Sequence, residues 1–228
     1  MIYLAAFLIE LFLLFFLSKK LIKSLYLILF KISKNHKVVV NTLAIIFLPG
    51  TIMHELAHLL TAGILLVPVG DMVVVPQIDG DEVKLGSVQI GKVDPFRLTI
   101  IGVAPVILGS LSILGLLYFA QIYLDFTWWK VFLGLYLIFE ISNTMFSSKK
   151  DIEGTIGFVM AILIVGIFLI SVLYFWRPLL ITNIWSYLMD LNFEHFLSFF
   201  RISSIYLLVP LILDLSIIFL TKPFLRIK

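Results

Sequence analysis

The chain has 228 residues, 61% of them hydrophobic and 14% charged, with a mean hydropathy of +1.14. Soluble domains carry roughly 25% charged residues, so this composition excludes a water-solvated globule and points to an α-helical polytopic membrane protein. The net charge of +3 implies no nucleic-acid partner, because Lys and Arg cluster at the ends of apolar segments, where membrane proteins place them. There is no cysteine, which excludes disulfides, thiolate metal sites and cysteine nucleophiles.

Residues 1–17 form the first apolar run, with Glu10 in its middle. No cationic leader precedes it and no small-x-small cleavage site follows, so a retained helix is expected rather than a signal peptide. Residues 18–37 are basic and amphipathic, with Lys19, Lys20, Lys23, Lys31, Lys34 and Lys37 around Leu21–Phe30. They either extend the first helix or lie in the interface. The second span covers 38–67 and is interrupted at Pro49-Gly50. Residues 68–95 then change character. Val73-Val74-Val75-Pro76, a turn signal at Asp79-Gly80-Asp81 and Val83–Ile90 predict a β-hairpin insertion. The third span is Arg97–Tyr123, containing Gly102, Pro105 and Gly109, and the fourth is Trp128–Phe146. The fifth is Ile156–Trp176, an interfacial stretch is expected over 179–200, and Ile205–Leu220 makes the sixth.

The expectation is one domain, 1–228, with about six transmembrane helices and the insertion between spans two and three. Such a chain is an integral, multi-pass protein of a prokaryotic cell membrane. If the insertion is cytoplasmic, Lys84, Lys92, Arg97, Lys149, Lys150, Lys222, Arg226 and Lys228 share its side and the 18–37 lysines face across. The positive-inside rule then chooses neither orientation.

One motif carries chemistry: His54-Glu55-Leu56-Ala57-His58. Residues four apart share a helix face, so both imidazoles can address one metal ion. Glu55 projects beside the first and is placed to take a proton from a water polarised by that metal. By composition, this pattern arises in about two of a thousand such chains. Its flanks, Ile45–Leu48 and Leu59–Val67, are almost wholly apolar, and polar groups in hydrocarbon cost several kcal/mol unless paired or ligated.

A catalytic zinc ion takes three protein ligands and keeps one open position. The candidates for the third are His36, His195, Glu10, Glu140, Asp151, Glu153 and Asp214. His36 and His195 lie in polar connecting stretches. Glu10 and Asp214 are isolated acids in apolar spans that pair with lysines, line a water path or sit near a span end. The segment Asn143–Asp151 closes the fourth span with an asparagine and places an acid eight residues later.

Here the sequence resembles the site-2 protease family of intramembrane zinc metalloproteases. That family pairs an HExxH span with a later N-x-x-P-x-x-x-L-D-G segment. Asn143 and Asp151 fall in register with its asparagine and its metal-binding aspartate. Phe146 stands in place of the proline, Lys150 in place of the leucine, and Ile152-Glu153-Gly154 in place of the glycine pair. The insertion at 68–95 occupies the position of the family's membrane-associated β-structure. Ala104-Pro105 resembles its Gly-Pro segment, with Leu108 where an asparagine is usual, and Ala62 matches a small residue common there. The resemblance covers about residues 45–154; residues 1–37 and 155–228 fall outside it.

The resemblance implies Zn2+ held by His54, His58 and Asp151, with Glu153 as the alternative third ligand. It makes Glu55 the general base and gives Asn143 a part in positioning substrate or transition state. The implied activity is hydrolysis of a peptide bond in or near a transmembrane segment of a membrane protein substrate within the bilayer. The oligomeric state stays open. A helical substrate must unwind to be cut, and an insertion edge at Val73–Val75 or Val83–Ile90 offers the freed strand hydrogen bonds. Two rival readings stand beside this one. The first is a catalytically degenerate metal-binding scaffold or regulator; the second is a small ion transporter that uses Glu10, Glu140 and Asp214.

Overall fold

The computed structural model describes residues 2–79, 82–123, 127–146, 149–176 and 194–226. Helix α1 spans Ile2–Ser33 without interruption. It contains no Gly or Pro, so nothing breaks it where the lysines begin, and the basic stretch continues the helix. It stops at Lys34, whose φ of 52° is left-handed. Asn35 then caps α2 (His36–Ile46), its side chain accepting from the N–H groups of Lys37 and Val38, as N-cap asparagines do.

Helices α2 and α3 (Leu48–Ile64) meet at Phe47 with a bend of 71°. Pro49 supplies the cause, since it has no N–H to donate to Ile45 and its ring crowds that carbonyl. Four short strands follow: β1 (Val69–Val73), β2 (Gln77–Asp79), β3 (Glu82–Lys84) and β4 (Ser87–Ile90). They form two antiparallel ladders, β1 with β4 and β2 with β3. Gly80 and Asp81 of the expected turn lie outside the described residues.

The remaining helices are α4 (Pro95–Tyr123), α5 (Trp128–Thr144), α6 (Lys149–Trp176) and α7 (Glu194–Arg226). The backbone at Asp151 and Glu153 is therefore helical, in the opening turns of α6, rather than in a loop. Most of the stretch expected to be interfacial lies outside the described residues, and 194–200 belong to α7. Helices α1, α4 and α7 are each long and apolar enough to cross a bilayer, and the bent α2–α3 pair can count as a fourth. Helix α5 has 17 residues, at the low end of the roughly 17–25 that span a bilayer, and α6 has 28, of which Ile162–Trp176 is apolar and fully described.

Helices α1 and α7 run side by side in the same direction. Phe7 meets Phe200 with ring centroids 5.3 Å apart, the Ser204 hydroxyl donates to Glu10 Oε1 at 2.8 Å, and Lys31 Nζ donates to the Phe224 carbonyl at 3.2 Å. These pairs keep a sequence offset of 193 or 194 residues, which only parallel helices can do. Opposite placement of the 18–37 lysines and Lys222 is thereby corrected: both stand toward the same end of the α1–α7 pair. One apolar core gathers Leu14, Ile113, Ile138 and Leu207. A second gathers Leu21, Val39, Phe47 and Ile218, with Leu85 of the β insertion packed on it.

Candidate metal centre

Helix α3 carries His54, Glu55 and His58, and each is only 5% exposed. The i,i+4 spacing brings the two imidazoles together, Nε2 to Nε2, at 3.2 Å. Two nitrogens held about 2.05 Å from one tetrahedral ion sit roughly 3.3 Å apart. The pair therefore already stands at the separation that chelation demands.

His58 is held in the tautomer a ligand requires. Its Nδ1 lies 2.9 Å from the Ile101 carbonyl oxygen. A carbonyl only accepts, so Nδ1 carries the proton and Nε2 keeps its lone pair for a metal. That carbonyl is available for a reason written in the sequence. Pro105 stands inside α4, four residues after Ile101, and has no N–H to complete the helical bond. Ile101 is fully buried, so its oxygen needs a donor from elsewhere, and His58 provides it. Replacing Pro105 with Ala should restore the helical bond and set it in competition with His58. Zinc affinity is expected to fall by about 10- to 100-fold, the usual effect of losing an outer-shell partner. Unchanged affinity in a metal titration would count against this linkage.

Two more elements close on α3. At its N-terminus, Gly50 N–H donates to Glu140 Oε2 of α5 at 3.3 Å. A carboxylate there satisfies a donor that the helix leaves open and complements the helix dipole. Around Gly50 the backbones approach closely: a Cβ would stand 2.6 Å from the Glu140 carbonyl oxygen and 2.5 Å from Thr144 Oγ1. On the other face, a Cβ at Gly86, in the turn before β4, would meet Glu55 Oε1 at 2.9 Å. The β insertion thus rests directly on the Glu55 carboxyl group. Beside His54, a cavity lined by Gly50, Met53, Pro105, Gly109, Ile141 and Thr144 leaves about 10 Å³ for a water centre, close to what one molecule needs.

Four of the other candidate ligands are engaged elsewhere, and His195 is exposed in the first turn of α7. Glu10 accepts from Ser204, Glu140 from Gly50, and His36 is hydrogen-bonded to the Tyr26 hydroxyl. Asp214, fully buried on α7, accepts from Asn143 Nδ2 at 2.8 Å. The Asn143 amide also donates to the Phe139 carbonyl of its own helix at 3.0 Å, so one bond ties α5 to α7, the other stays within α5, and neither addresses the histidine pair. Among the described residues no group of three His, Asp or Glu side chains converges as a metal site. The side chains of Asp151 and Glu153 lie outside the described residues, and the expected third ligand falls there. Gly86, the Ile101 carbonyl and Thr144 are not among the sequence-derived site residues. Only the mid-helix Pro105 signals one of them, because it marks the carbonyl four residues earlier as free.

The donor set fits zinc: two imidazoles with Nε2 atoms at chelating distance, one with its tautomer fixed by the Ile101 carbonyl, and a carboxyl group adjacent in sequence. Fold and site together define an α-helical membrane protein with a buried histidine pair. Comparison with protein-family models, with curated proteins and with solved structures gives no match.

Proposed function

We propose that this chain is an intramembrane zinc metalloprotease that hydrolyses a peptide bond in or near a transmembrane segment of a membrane protein substrate. The observation that carries the reading is the buried His54–His58 pair, with Nε2 atoms 3.2 Å apart and His58 turned by the Ile101 carbonyl. His54 and His58 hold the metal, and Asp151, or Glu153 in its place, completes the set. When bound, zinc supplies Lewis acidity toward water and the scissile carbonyl. Glu55 accepts a proton from the attacking water and passes it to the leaving amine. The burial of all three motif residues keeps bulk water from the chemistry. A direct part for Asn143 requires its amide to leave Asp214. In this reading α5 and α6 complete a multi-pass architecture of about six crossings in a prokaryotic cell membrane, and an edge of the β insertion pairs with the unwound substrate.

One observation favours a second reading, that of a small ion transporter. Glu10 Oε2, Glu140 Oε1 and Asp214 Oδ2 are buried without a hydrogen-bond partner among the described residues, and intramembrane acids often mark ion paths. Zinc stoichiometry separates the two. The protease reading expects one zinc per chain, lost in His54→Ala and in His58→Ala, and cleavage of a synthetic transmembrane peptide that stops on chelation and returns with zinc. Wild-type protein without stoichiometric zinc, or cleavage indifferent to chelator, would sink it.

A further inference from the structure

A site of a different kind lies on the outer face of the α1–α7 pair. A groove of about 550 Å³ runs between these helices, and Lys20 and Lys222 both line it with Leu17, Leu215, Ile218 and Phe219. Lys20 and Lys222 are both exposed, and the walls between them are apolar.

The exposed charge around this groove has one sign; the nearest acid, Asp214, is fully buried and accepts from Asn143. Residues 11–54 contain six lysines and no Asp or Glu, and beyond Asp214 the chain adds Lys222, Arg226 and Lys228, again with no acid. Because α1 and α7 are parallel, with Lys31 bound to the Phe224 carbonyl, the lysine-rich ends of both helices gather at one end of the pair. No ion pair among the described residues involves Lys20 or Lys222. A long-stemmed lysine on a membrane helix lays its methylenes along apolar surface and raises its ammonium group to the headgroup layer. By the α1–α7 offset Lys20 stands level with residues 213–214, about 12 Å along the axis from Lys222, a gap that two extended lysine side chains can close on one phosphate while its hydrocarbon lies on the apolar walls. Phe219 and Leu220, 72% and 66% exposed, belong to a surface made for acyl chains.

From this we infer that the α1–α7 groove binds an anionic phospholipid, its phosphate held by Lys20 and Lys222 and one acyl chain lying along Leu17, Ile218 and Phe219. The inference is independent of the protease reading and does not need the metal.

Native mass spectrometry of the full chain, released from a mixed phosphatidylcholine and phosphatidylglycerol bilayer, tests it. Wild type should retain phosphatidylglycerol in preference to phosphatidylcholine. The double variant Lys20→Gln/Lys222→Gln should bind it about 30-fold more weakly, from what two lysines contribute beside an anionic headgroup. Lys20→Arg/Lys222→Arg should restore retention. Lys34→Gln/Lys37→Gln removes the same charge away from the groove and should leave retention unchanged. Any of four results overturns the proposal: retention in the glutamine groove variant, equal loss in the control, no preference for the anionic lipid, or inorganic phosphate alone displacing the lipid. A dimer with no lipid bound would instead assign the groove to a second copy of the chain and overturn it equally.

Discussion

If the chain is the zinc protease proposed above, changing Glu55 to Gln is expected to abolish peptide hydrolysis while leaving zinc bound. The amide is nearly isosteric with the acid, so the contact with the Gly86 turn, where Glu55 Oε1 would stand 2.9 Å from an added Cβ, survives the change. The histidine pair is untouched, because its geometry comes from the i,i+4 spacing on α3 and from the Ile101 carbonyl. What is lost is the ability to accept a proton, and a positioned general base contributes about 10²- to 10⁴-fold. The measurement pairs cleavage of a synthetic transmembrane peptide with metal analysis of the same preparation. Wild-type turnover in the variant would remove Glu55 from the role of base. Loss of zinc together with activity would make it a structural residue instead.

The second large effect belongs to Gly50. An alanine there places its Cβ 2.6 Å from the backbone oxygen of Glu140 and 2.5 Å from Thr144 Oγ1. The hydroxyl can rotate away, but the carbonyl sits in the body of α5 and cannot. Helix α3 must therefore withdraw from α5, stretching the bond from Gly50 N–H to Glu140 Oε2. Forcing atoms into a packed contact costs about 1–3 kcal/mol, and the displacement reaches His54, one turn further along the same face. Thermal unfolding in detergent should show Gly50→Ala destabilised and weaker in zinc binding. Gly63→Ala is the control: the same helix and the same change, with no atom from beyond its own helical turn within 4 Å of the new Cβ among the described residues. It should be neutral or slightly stabilising, as removal of glycine from a helix generally is. Equal stability of the two variants would mean that α3 and α5 are not pressed together at Gly50.

Features fixed by neighbours along the chain were legible in the sequence. The membrane solvent follows from composition, and the break before α3 follows from what Pro49 cannot donate. The convergence of His54 and His58 follows from 3.6 residues per turn. Spans were harder to read, because an apolar run shows that a segment avoids water and not how far it extends as helix. Thus α1 runs on through its lysines to Ser33, while α5 stops at 17 residues.

The histidine motif was therefore determined by the sequence itself, down to the face it presents, and so was the free carbonyl that Pro105 leaves at Ile101. That these two belong to each other was decided only by the tertiary structure, which brings them together across 43 residues. The same holds for Glu140 on Gly50 across 90 residues, Asn143 on Asp214 across 71, and the parallel α1–α7 pair across 194. The physical reason is common to all of them. A local rule states which polar group is left without a partner, but the choice of partner is made where helices pack in hydrocarbon, and there each such group must find a donor or acceptor on another segment.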